Sequence, residues 1–317
     1  MKRSFLVATA IVVLTTMAQP IFAQPATLRY RWVKGDVLKY RMTLQTDSTM
    51  SGMPGAGNAT LGQTMTQRIT LAVEDVAPDG TGTLMETVTA IKAEMNSPMG
   101  RMMYDSASPT QNTTDPMSVN IGKMLSPLVG EPVIVVIGVD GSVRKVEGAS
   151  RLMDKIAAGL GQDPAVAPFL QSIKSTFSDE GLRAMTEQTF VSLAPTPVKP
   201  GDRWTGRISI GNPAIGRIAY AMTFTLKSFD ETASRATIGV STIMTQESAP
   251  PPGPMNMTVK LGASTGSGEV VLANGLIERS TMRLNMPMTA SMSGPDGAPT
   301  TITNESKTTM TLERIDK

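Results

Sequence analysis

The chain contains no cysteine and no histidine among its 317 residues. Without cysteine no disulfide holds it together, so burial of apolar surface must. A lipid anchor attached through an N-terminal cysteine is excluded for the same reason. Without histidine, the serine and cysteine triads that rest on an imidazole are excluded, as are most zinc sites. Carboxylate-only chemistry, such as the paired acids of glycosidases, survives this filter. Aromatic residues are scarce at 4%, too few and too scattered for the stacked platforms of single-strand nucleic-acid binding.

Long apolar runs are also missing, with one exception at the start. Lys2 and Arg3 precede an apolar stretch from Phe5 to about Leu14, and Ile21-Phe22-Ala23 precedes Gln24. A basic start, a short apolar core and a small residue at the cut form a secretory signal peptide. The run is too short for a membrane span, and cleavage is expected after Ala23, with Ala18 as the alternative. Removing Lys2 and Arg3 from the 29 basic residues leaves 27, equal to the 27 acidic ones. A neutral chain lacks the basic field that nucleic acid requires and the polybasic patch of a membrane-surface protein. The expectation is an exported bacterial protein, periplasmic or extracellular, with no transmembrane span after cleavage.

What is present is a phrase that occurs twice. Val33-Lys34-Gly35-Asp36 near the start is answered by Val198-Lys199-Pro200-Gly201-Asp202 past the middle, and each leads into a strand with an aromatic, Tyr40 or Trp204. Period-two alternation, the strand signal, runs through Leu28, Tyr30 and Trp32, then Leu38, Tyr40, Met42 and Leu44. That pattern predicts a hairpin turning at Gly35-Asp36. Residues 48–63 and 96–120 show no period and are expected to be irregular. Val133 to Val139 is apolar on both faces, as in a central strand, and ends in the turn signal Asp140-Gly141. Residues 150–190 carry three short helical patterns, the last with Ser178 as its cap and Asp179 and Glu180 in its first turn. Alternation then resumes, with a second hairpin signal at Asn274-Gly275 and a threonine-rich strand over about 301–312.

The expected fold is all-β and mainly antiparallel with a short central helical insert. A duplicated meander forms one or two curved sheets or half-open barrels. The divisions are a signal peptide at 1–23, a first repeat at 24–149, the helical insert at 150–190 and a second repeat at 191–317. Unequal spacing between the repeated phrases requires insertions, chiefly in the first-half loops.

The phrase Pro197-Val198-Lys199-Pro200-Gly201-Asp202-Arg203-Trp204, with Phe177-Ser178-Asp179-Glu180 before it and the Asn274-Gly275 hairpin after it, resembles the signature of a family of uncharacterised secreted bacterial proteins. The resemblance brings no activity with it. In outline it is similar to the curved, half-open sheets of periplasmic lipoprotein carriers.

Candidate site residues follow from composition. The acids Asp36 and Asp202 sit beside Gly35 and Gly201, where a side chain serves the turn by accepting backbone N–H groups. Methionine is abundant, 24 in all. Met255-x-Met257 and Met282-x-x-x-Met286-x-Met288 place sulfurs on one face of their strands. Three readings stay open: a pliable core filler in place of aromatics, an adaptable apolar groove, or a thioether site for copper(I). The groove reading makes Met255, Met257, Met282, Met286 and Met288, with Trp204 and Tyr40, ligand contacts for a lipid or another apolar small molecule. On this reading the protein is a non-enzymatic carrier in the cell envelope with no cofactor, catalytic residue or resident metal. The alternative is a structural or protein-interaction module of the envelope.

Overall fold

A computed structural model describes residues 24–52, 57–98, 100–108, 116–160, 170, 174, 177–212, 216–249, 258–293 and 299–316. The expected signal peptide, Met255, Met257 and most of the second helical pattern lie outside the described residues. The first half supplies β1 (Val37–Ser51), β2 (Ala59–Val76), β3 (Gly82–Ser97) and β4 (Gly100–Asp105). Then come α1 (Pro116–Leu125), β5 (Pro132–Ile137), β6 (Val143–Glu147), α2 (Ala149–Leu160) and α3 (Asp179–Thr189). The second half supplies β7 (Arg203–Asn212), β8 (Gly216–Asp230), β9 (Arg235–Ser248), β10 (Thr258–Leu261), β11 (Ser264–Ala273), β12 (Leu276–Ser293) and β13 (Pro299–Arg314).

All the strands among the described residues join one antiparallel sheet, curved and open, in the order β6-β5-β3-β2-β1-β13-β12-β11-β9-β8-β7. Beside this path, β4 pairs with β3 and β10 with β12. The order β6-β5-β3-β2-β1 recurs as β12-β11-β9-β8-β7, and β13 joins the two sets through ladders to both β1 and β12.

The alternation decides which face is wet. Across the middle, Met42 stands beside Gln67 and Leu312, Leu44 beside Met65 and Met310, and Met310 beside Met282. These residues face the concave side. One residue over, Arg41 stands beside Arg68 and Glu313, and Glu313 beside Arg279, all on the opposite, outward side. A strand with one apolar and one charged face needs a single covered side, and the core accordingly lies in the hollow. One apolar cluster contains Leu71, Leu84 and Val135 from the first half with Phe224, Leu226, Ile238 and Val270 from the second. Among the described residues no helix is long and apolar enough to cross a membrane.

The two Gly-Asp phrases have the same backbone geometry. The Gly35 N–H donates to Val73 O and the Gly201 N–H to Leu226 O. Asp36 O accepts from Val73 N–H as Asp202 O accepts from Leu226 N–H. Both glycines have positive φ, +89° and +97°, a conformation that favours glycine. The Asp202 carboxylate accepts from Lys199 N–H at 2.8 Å, locking its turn.

Several expectations are corrected. Residues 28–32 do not form a hairpin strand with β1. They run as an extended segment whose backbone bonds go to distant turns, so their alternation reflects packing across the sheet ends rather than a ladder. The stretch over 96–120 is not irregular throughout: it holds β4 and α1. The loop expected over 48–63 is shorter, because β1 continues to Ser51 and β2 begins at Ala59; threonines suit a pleated surface without apolar alternation. β5 is second from the sheet edge rather than central. Its Val135 and Ile137 are fully buried while Ile134 and Val136 are not. α2 and α3 match the first and third helical patterns. The Ser178 side chain accepts from Gly181 N–H at 3.0 Å, as a cap should.

Candidate functional site

The N-terminal segment and the helices close one end of the hollow. Ala26 and Val198 exchange backbone hydrogen bonds, Tyr30 N–H donates to Val139 O, and Arg31 N–H donates to Gly275 O. Residues 26–31 therefore lie as a strap across the turns of both halves. Tyr30 carries the centre of this strap. Its ring stacks on Trp32 with centroids 5.5 Å apart, and both rings meet Phe190 edge-on. Its hydroxyl donates to Val191 O at 3.3 Å and accepts from Val191 N–H at 3.1 Å. Burial pushes the Tyr30 phenol well above its usual range. The strap passes so close to both hairpin turns that only glycine fits there. A Cβ at Gly141 would stand 2.8 Å from Tyr30 Cε2, as well as 2.3 Å from Val191 O, and one at Gly275 2.8 Å from Arg29 O.

Behind the strap, α2 and α3 roof the concave face without filling it. A cavity of about 320 Å³ remains, at the lower end of the ~300–1,000 Å³ usual for small-molecule sites. Its floor is the sheet, with Tyr40 and Met42 of β1, Ile69 and Leu71 of β2, Glu86 and Val88 of β3, and Leu312 of β13. Leu182, Met185 and Thr186 of α3 form its roof. Most of this lining is apolar. Among the described residues the exceptions that ionise are Tyr40, Glu86 and Glu131.

These three groups differ in their surroundings. Burial raises the Tyr40 phenol, so it stays neutral. Glu131 is 8% exposed and held by Arg151 at 3.4 Å and by Lys155, both from α2. Glu86 makes no hydrogen bond or ion pair with a described residue, and burial pushes its carboxyl up from 4.5 to about 7. A second cavity of about 200 Å³ lies toward the other half, lined by Met222, Phe224, Val240, Val270 and Met282 among others; it shares Gln188 and Phe190 with the first.

The residues expected from sequence are distributed as follows. Tyr40 lines the larger cavity and Met282 the smaller. Met286 and Met288 lie further along the same face of β12, beside Ser306 and Asn304, and line neither of these cavities. Trp204 stacks on Phe224 at 5.6 Å and donates through Nε1 to Ser192 O at 2.7 Å, anchoring β7 to the segment after α3. Gly35, Asp36, Gly201 and Asp202 are turn residues. The methionines of the larger cavity are Met42, Met65, Met185 and Met310, which composition had not singled out. Among the described residues no group of three acids is placed to hold a metal ion.

Fold and site together define an open antiparallel sheet with a charged convex face and a helix-roofed apolar hollow. The chain belongs to a family of unknown function (DUF6263), whose model matches residues 79–277. No curated protein matches it. Among solved structures it is similar to lipovitellin, described for its lipid–protein interactions, at TM-score 0.45 and 12% identity. That match covers 90% of this chain and 25% of the lipovitellin chain, so this chain spans about a quarter of that protein's length. It is also similar to an outer membrane channel from Pseudomonas putida F1 at TM-score 0.26 and 7% identity, covering 89% of this chain and 97% of that one. OccK5 from Pseudomonas aeruginosa follows at TM-score 0.23 and 9% identity, covering 88% of this chain and 98% of that one.

Proposed function

We propose that the protein is an exported, non-enzymatic carrier that holds an apolar small molecule, such as a lipid, in the cell envelope. The observation that carries this reading is the cavity of about 320 Å³ between the concave face and α3. A well-packed domain leaves few voids larger than a water molecule, so an apolar space of this size under a helical roof calls for an occupant. The polarity of the sheet supports the same reading. Charged residues such as Arg41, Arg68 and Glu313 face outward, whereas a transmembrane barrel turns its apolar band outward. The duplicated β-meander supplies the wide hollow, and the helical insert between the repeats supplies the roof.

Native mass spectrometry of the protein purified from its own cell envelope, followed by organic extraction, tests this function. A co-purifying lipid-sized mass lost on extraction is the expected result. A bare protein that gains no thermal stability from added apolar probes would overturn the reading and favour an interaction module. The variant Val88→Trp fills the cavity from its floor and should remove the bound mass while the protein stays folded.

A further inference from the structure

Among the described residues the larger cavity is lined by two carboxyl groups, and one of them, Glu131, has its charge matched by described partners. Glu131 is neutralised by Arg151 and Lys155 of α2. Glu86 stands between Leu71 on β2 and Val133 on β5, with both neighbours lining the same cavity. Its inward position is fixed by the pleat: Leu84, Glu86 and Val88 share a face, and Leu84 is fully buried. The strand then slips at a bulge around Thr89, so the register that holds Glu86 inward ends just beyond it. A carboxyl in an apolar wall with no partner is costly unless something else pairs with it.

We propose that the cavity takes an amphiphile with a protonated amine head, whose ammonium donates hydrogen bonds to Glu86 while its alkyl body lies along Leu71, Val88, Leu128 and Phe177. This inference rests on the carrier reading and names the class of its ligand. Charge complementarity selects the amine. Among the described residues no cationic side chain lines the cavity, and of the other ionisable groups there, Tyr40 on β1 is neutral and Glu131 is already paired. α3 presents Leu182, Met185, Thr186, Gln188 and Thr189, and α2 presents Leu152; none of these ionises. A fatty acid would face Glu86 with a like charge and bind only by sharing a proton with it. The raised carboxyl predicts that an ammonium head drives Glu86 to ionise, so binding near neutral pH releases a proton to solvent.

Isothermal titration of the extracted full-length protein with decylamine, decanol and decanoate, below their micelle concentrations at pH 8, tests the inference. Decylamine should bind about tenfold or more tighter than decanol, as a charge-assisted buried hydrogen bond provides. In Glu86→Gln that preference should vanish while decanol binding is retained. Repeating the decylamine titration at pH 6.5 in two buffers of different ionisation enthalpy should show net proton release. Decanol or decanoate binding as tightly as decylamine to the unmodified protein would overturn the inference and leave the carrier reading intact. A decylamine preference that persists in Glu86→Gln would overturn it equally. Failure of all three probes to bind would overturn the carrier reading and this inference with it.

Discussion

Replacing Glu86 by glutamine should change how stability depends on pH, and the size of the change follows from the site. In the folded protein burial moves the Glu86 carboxyl from 4.5 to about 7. Between those values the folded state binds a proton that the unfolded chain has released, so raising the pH favours unfolding. The contribution of Glu86 is therefore neutral below pH 4.5 and becomes unfavourable as pH rises through about 7. It then levels off. A tenfold change in proton affinity corresponds to ~1.4 kcal/mol, so the full penalty is about 3 kcal/mol at pH 8 and above. Glutamine has nearly the same shape and never ionises. Urea denaturation of the ligand-free protein and of Glu86→Gln, at steps from pH 4 to pH 9, should show the variant gaining relative stability between pH 4.5 and 7.5. The gain should be flat above that window. A stability difference that does not vary with pH would refute the reasoning, because it would mean that folding leaves the proton affinity of the carboxyl unchanged.

Other perturbations test the strap and the turns. Tyr30→Phe leaves the Val191 N–H buried without its acceptor and should lower stability by about 1–3 kcal/mol, read as a shift in the urea midpoint. Gly141→Ala forces a Cβ to 2.3 Å from a carbonyl at positive φ and should cost about 2 kcal/mol or more. Gly35→Ala, also at positive φ but facing open space, should cost only about 1 kcal/mol in the same melt. Met286→Glu should leave binding at the larger cavity unchanged, because Met286 does not line it; a loss of apolar-probe affinity in titration would show that the occupied hollow extends along β12.

Much of the fold was legible because strand alternation and turn chemistry are local. The Gly-Asp phrases, the Asn274-Gly275 turn and the Ser178 cap all stand where the residues indicated. Tyr30 and Trp32 were legible as buried but not as a strap, since the groups this segment meets, Val139, Val191 and Gly275, lie more than a hundred residues away. α1 was missed because its pattern is weak and its first turn holds no acid. The larger cavity was beyond sequence reading for the same reason as the strap: its roof comes from 179–189 and its floor from β1, β2, β3 and β13. Glu86 is the exception. In Leu84-x-Glu86-x-Val88 an acid occupies an inward position of a strand, and that local conflict between residue type and face is visible in the residues alone. Abundance favoured methionine instead, and the abundant residue proved spread over both cavities and the face beyond them.

The strand at the centre of the sheet, β13, follows every other described strand in sequence. β13 bonds β1 along one side and β12 along the other, so until it is in place each half ends in a long strand with a row of unpaired backbone groups. Such edges recruit strands from other molecules. Assembly of this protein therefore has a vulnerable interval that closes only when residues 299–314 dock, and β1 waits through it for a partner more than two hundred and fifty residues away. Contacts of such sequence separation fold slowly. Without residues 299–314 the sheet would part in the middle, as two half-sheets each with an open edge.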